Sequence, residues 1–77
     1  MRDNTLQNGA IVLEDYTAPD ETGVVLAFWN RKVHPYVTWR TDKEGNTFLG
    51  HYFKTFEEAA FDLRKRVRAT RRCFENA

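Results

Sequence analysis

Seventy-seven residues with 42% hydrophobic content and eleven aromatics describe one domain, near the lower size at which a single apolar core sustains itself. Charged residues make up 30% with balanced signs, which excludes disorder throughout, yet residues 1–22 carry one arginine against five acids (net −4) and residues 23–77 eleven basic against six acidic side chains (net +5), an asymmetry that points to an interaction surface. The single cysteine, Cys73, excludes an internal disulfide framework; with no apolar run near ~18 residues and no signal-peptide core, the reading is a cytoplasmic protein without a membrane partner.

Residues 1–9 are polar and read as a flexible arm, leaving residues 10–77 as the domain. Residues 10–16 (AIVLEDY) read as a short strand, ended by the turn-prone Ala18-Pro19-Asp20-Glu21-Thr22-Gly23. Residues 24–29 (VVLAFW) are an almost unbroken apolar run of strand length. They predict a central strand covered on both faces, or one whose outer face meets a partner. Residues 30–32 form a polar turn, and Pro35 limits ladder formation at the start of the next strand.

Residues 36–41 and 47–54 flank Asp42-Lys43-Glu44-Gly45, the pattern of a type I turn followed by a left-handed glycine. That turn sets Arg40 against Phe48, Trp39 against Leu49, Val37 against His51 and Tyr36 against Tyr52. Alternation then puts Val37, Trp39, Leu49, His51 and Phe53 on one face, and Tyr36, Thr38, Arg40, Phe48, Gly50 and Tyr52 on the other. The first is the expected core, although Gly50 on the second could instead admit a close helix.

Thr55-Phe56-Glu57-Glu58 is a capping box, and the helix it starts is expected from residue 56 to about residue 74. Phe56, Ala59, Ala60, Leu63, Val67 and Phe74 share one stripe that packs on the sheet. The fold class is α+β: a three- or four-stranded antiparallel sheet packed on one C-terminal helix, in the order β-β-β-β-α.

Two surfaces are candidates for binding. Arg64, Lys65, Arg66, Arg68, Arg71 and Arg72 put six cations into nine residues. All but Arg66 fall on one broad side of the helix, with Phe61 among them. Such a side can release counterions from phosphates, and arginine in preference to lysine suits bidentate recognition. The plainer alternative is a solvated helix matched to its dipole: Glu57, Glu58 and Asp62 precede the cations, and Asp62 can pair with Arg66. One aspartate, however, cannot neutralise six cations. The second candidate is the face with Tyr36, Arg40, Phe48 and Tyr52, whose aromatics and cation can stack on unpaired bases or dock in a groove, with Arg31, Lys32 and Lys43 clamping flanking phosphates. Its alternative is that the N-terminal segment folds over this face and buries the rings.

Trp39-Arg40, then Leu49-Gly50, then the run from Phe53 through Thr55-Phe56-Glu57-Glu58-Ala59-Ala60 resemble the ethylene-response-factor DNA-binding domain of plants. They are similar in the same way to the arm-site-binding domains of tyrosine integrases from mobile elements. The likeness spans roughly residues 24–68. It implies a three-stranded sheet backed by a C-terminal helix, with the outer sheet face in the DNA major groove and Arg40, Tyr36 and Lys43 as groove-facing residues. The chain departs from the pattern at VVLAFW, which stands where the plant family has an arginine-rich strand, and by one added residue between Leu49-Gly50 and Phe53.

No catalytic constellation is present. His34, His51 and Cys73 contain no close-spaced pair of metal ligands, and there is no phosphate-cradling glycine loop, nucleophile elbow or paired-acid arrangement. Cys73 lies beside Arg72 without a paired base. The expectation is a small non-enzymatic module, without cofactor or metal, that binds or accompanies nucleic acid in a mobile element or its host. The rival is a protein-interaction module that meets an acidic or hydrophobic partner, or a second copy of itself, through the apolar and aromatic sheet.

Overall fold

The computed structural model describes residues 5–6, 8–30 and 33–75, and for residues 73–75 the backbone alone. Four strands, β1 (Ile11–Thr17), β2 (Gly23–Phe28), β3 (Tyr36–Thr41) and β4 (Thr47–Phe53), form one antiparallel sheet in the order β1-β2-β3-β4, and α1 (Phe56–Glu75) packs on it. The fold is therefore a small α+β domain, as its sequence predicts.

Short-range chemistry sets the connections. Asp20 closes the first turn by accepting hydrogen bonds from the Thr22 amide and hydroxyl. Asp42 closes the β3–β4 turn through the Glu44 and Asn46 amides, and Gly45 sits at φ 87°, where a side chain would be strained. Thr55 caps α1: its hydroxyl accepts from the Glu58 amide and donates to the Glu58 carboxylate, each at 3.2 Å.

β2 is covered on both faces, because its alternate residues enter two separate apolar clusters. Val24 and Leu26 meet Ala59, Ala60 and Leu63 of α1, with Tyr16, Tyr36, Phe53 and Val67 at the rim. Val25 and Ala27 meet Ala10, Val37 and Trp39 on the opposite face, where Leu6, Val12 and Trp29 pack over them. Leu6 and Ala10 belong to a tight turn in which the Leu6 amide donates to the Ala10 carbonyl at 2.8 Å and Thr5 bridges to Ile11. Of the residues expected to form an arm, 1–4 and 7 lie outside the described residues.

Two expectations about the sheet are corrected. The helix covers the face bearing Tyr36 and Thr38, while Val37 and Trp39 lie on the other face. Two features favour this choice. Ala59 and Ala60 let the helix axis come close, and the fully buried Thr38 donates its hydroxyl to Asp62 Oδ2 at 2.5 Å, so that this hydroxyl is not stranded under the helix.

The second correction concerns register. The β3–β4 pairing holds as expected at the turn, with Arg40 opposite Phe48, and then slips: Thr38 faces His51, Val37 faces Tyr52 and Tyr36 faces Phe53. Leu49 and Gly50 together oppose Trp39, forming a bulge in which Leu49 takes φ 53°. A one-residue slip sends every later side chain of β4 to the other face relative to β3. His51 and Phe53 therefore join Thr38 and Tyr36 on the helix side of the sheet, and Tyr52 joins Trp39, with ring centroids 6.4 Å apart. Gly50 is not the seat of the helix. A Cβ there would lie 2.7 Å from Trp39 Nε1, so its bare backbone makes room for the indole.

Candidate nucleic-acid interface

α1 divides its cations by position. Arg66 is turned toward the sheet, with its side chain 11% exposed; its Nε lies 3.3 Å from Asp62 Oδ2 and its Nη2 donates to the Leu49 carbonyl at 2.7 Å. Asp62 also takes the Thr38 hydroxyl, and His51 Nδ1 lies 3.0 Å from the same oxygen. Partial burial raises the Asp62 carboxyl, but the hydrogen bonds of Thr38 and His51 and the nearby charges of His51 and Arg66 outweigh it and leave the group below its ordinary range. Burial lowers the Arg66 guanidinium, partly offset by Asp62, and the charge of Arg40 lowers it further. Arg66 is thus a structural brace.

Arg64, Lys65, Arg68, Arg71 and Arg72 are all exposed. Lys65 holds its ammonium 5.4 Å from the centre of the Phe61 ring, which is itself 62% exposed. Among the described residues, Arg64, Arg68 and Arg72 meet no carboxylate at ion-pair distance. At 100° per residue, Arg64, Arg68 and Arg71 lie toward the β1 flank of α1, and Arg72 and Lys65 lie further out. The arginines and β1 enclose a groove of about 630 Å³, walled on one side by Arg64, Arg68, Arg71 and Arg72 and on the other by Glu14, Asp15 and Tyr16, with Leu63 and Val67 at its base. Two acids of the N-terminal segment and four arginines of α1 therefore line one groove.

The second candidate surface is divided. Tyr36 stands under the N-terminal end of α1, its ring 5.5 Å from Phe28 and 6.1 Å from Phe56, and is partly buried. Arg40 and Phe48 share the helix side at the turn end of the sheet, both exposed. Tyr52 lies on the opposite face, 46% exposed. The reason is the bulge at Leu49, together with the helix choosing the Thr38 face. The groove-facing role that the resemblance implies for Tyr36 is corrected likewise. The sheet face away from the helix carries Val25, Ala27, Val37 and Trp39 beneath Leu6 and Ala10, an apolar surface where a groove-reading face would need polar side chains. Of the expected phosphate clamps, Lys43 is exposed in the β3–β4 turn, whereas Arg31 and Lys32 lie outside the described residues, as do the Cys73 and Phe74 side chains.

The groove between β1 and α1 was not legible in sequence, since Glu14 and Arg64 are fifty positions apart; the charge asymmetry between the two parts of the chain was its faint signal. Among the described residues, no cluster of three or more His, Cys, Asp or Glu side chains is placed to hold a metal ion, and no helix is long and apolar enough to cross a membrane. No protein-family model, no curated protein and no solved structure matches this chain.

Proposed function

We propose that this domain is a small, non-enzymatic module of the cytoplasm that binds nucleic acid through its backbone, using Arg64, Lys65, Arg68, Arg71 and Arg72. The observation that carries the reading is the division of the helix cations: Asp62 holds Arg66 against the sheet, and the other five are left exposed on the remaining sides of the same helix. Exposed guanidinium groups displace the counterions of a phosphate chain, which is the main sequence-independent part of such affinity. The helix side carries no asparagine or glutamine for reading base edges, so its own contribution to the affinity is expected to be tolerant of sequence.

The test is a titration of the purified protein against a labelled random duplex and a matching single strand, at low and at physiological salt. Micromolar affinity that falls steeply with salt supports the reading. No binding at low salt removes it and leaves the arginines as a solvated face.

A second reading rests on β4. This end strand of the sheet carries no formally charged residue, and Phe48, Leu49 and Tyr52 are 44%, 65% and 46% exposed along it. Native edge strands usually carry charge, as β1 does with Glu14 and Asp15. A hydrophobic protein partner, or a second copy pairing along β4, would cover these side chains. Sedimentation at micromolar protein, compared between the native chain and Leu49→Lys, decides whether copies associate there; a monomer throughout removes the homodimer.

A further inference from the structure

The groove between α1 and β1 has two unlike walls. Arg64, Arg68 and Arg72 follow one another about one helical turn apart, with a rise of about 6 Å and a drift of about 40° around the helix per step, and form a slanting cationic row with Arg71 beside it. Across from them stand Glu14 and Tyr16. Their register partners, Leu26 and Val24, lie beneath the helix, so these two side chains occupy the helix side of β1. Asp15 is paired with Val25 and belongs to the opposite face. Glu14 forms no ion pair among the described residues, so its carboxylate lines the groove without bridging it.

Resting on the nucleic-acid reading above, we propose that this groove takes one unpaired strand, with its phosphates along the arginines and its base edges toward Glu14 and Tyr16. A carboxylate repels phosphate and therefore admits a backbone on one wall only; a duplex, with a second backbone across its groove, meets that repulsion. The same carboxylate accepts a hydrogen bond from an exocyclic amine such as cytosine N4; at that position thymine presents the O4 carbonyl, and its one donor, N3–H, lies between two carbonyl oxygens that repel a carboxylate. The Tyr16 ring, partly buried on the same wall, offers a surface for stacking. Backbone affinity and base preference thus come from different elements, α1 and β1.

The experiment titrates the full chain with labelled oligo-dC, oligo-dT and a duplex of equal length, at low and at physiological salt, for the native protein, Glu14→Gln, and Arg68→Glu with Arg72→Glu. Glu14 is exposed and its glutamine is of the same size, so the first variant is expected to fold as the native chain does, which circular dichroism verifies. The expected result is oligo-dC binding about tenfold tighter than oligo-dT and than duplex, with both gaps shrinking in Glu14→Gln. Duplex binding equal to or tighter than oligo-dC, or a dC-to-dT ratio that Glu14→Gln leaves unchanged, overturns this inference and leaves the basic-helix reading standing. Absence of salt-sensitive binding to all three overturns both.

Discussion

Arg66 reaches from the middle of α1 to the Leu49 carbonyl in β4, 2.7 Å away, and so fastens the helix to the residue that bulges the edge strand. Leu49 holds φ 53°, a conformation that costs a non-glycine residue about 1 kcal/mol or more and persists only where surrounding contacts over-determine it. The guanidinium is aimed by Asp62, which is itself held by Thr38 from β3. Helix, central strand and edge strand are joined through one carboxylate oxygen.

Removing the brace should weaken β4 first. Arg66→Met is expected to cost about 1–3 kcal/mol, because it leaves the Leu49 carbonyl and the Asp62 carboxylate each short of a partner. Arg66→Lys should recover only part of this, since one ammonium cannot reach both groups with the geometry of a planar fork. Urea midpoints measure the loss, and amide exchange should quicken in β4 before β2. An unchanged midpoint in Arg66→Met would sink this account of the bulge.

Two glycines should tolerate alanine unequally. A Cβ at Gly23 would overlap the Tyr16 carbonyl oxygen, which is backbone within the β1–β2 ladder and cannot move alone. At Gly50 the obstacle is the Trp39 ring, which can turn. Gly50→Ala is expected to cost about 1–3 kcal/mol, as overpacking does, and to shift tryptophan emission to longer wavelength. Gly23→Ala should lose more. Equal urea midpoints for the two variants would contradict the distinction.

Acid should destabilise the fold through Asp62. Its folded carboxyl titrates below its unfolded value of 3.8, so near and below that value the unfolded chain binds more protons. The stabilisation is complete above the unfolded value and is lost as the pH falls through the lower folded one. Asp62→Asn should therefore be less stable at neutral pH and should lose less on acidification. Some acid dependence will remain, because hydrogen bonds from Asn46 and Thr22 also lower Asp42 and Asp20. Thermal melts at neutral pH and near pH 3 compare the slopes; parallel loss in both proteins would rule out this role for Asp62.

Charge changes on the two sides of α1 should separate binding from folding. Arg68→Glu with Arg72→Glu is expected to abolish nucleic-acid binding and to move the melting temperature little, since both side chains are exposed. The single change Arg68→Ala should reduce the slope of log affinity against log salt by about 0.7–0.9, the share of one phosphate contact. Arg66→Lys should leave that slope unaltered. Equal slopes for native and Arg68→Ala proteins would place the phosphates elsewhere.

Features written in short stretches of sequence determined much of this protein. The Asp42–Gly45 turn, the Thr55 cap and the length of α1 arise from hydrogen bonds between residues at most four apart, so the pattern that predicts them also forms them. The unbroken apolar run at β2 required cover on both faces, and the Asp62–Arg66 spacing set that arginine apart from the other cations. Tertiary structure alone decided which face the helix covers, where β4 bulges, and that Tyr36 and Tyr52 lie on opposite sides of the sheet. Those outcomes depend on contacts between distant positions: Thr38 with Asp62, Arg66 with Leu49, and the Trp39 ring over Gly50. Alternation has a period of two, so each of these contacts, by shifting register a single step or choosing a face, reverses every assignment that depends on it. The groove has the same origin: packing α1 across the sheet brings Glu14 and Tyr16 beside Arg64 and Arg68, an approach that no local pattern encodes.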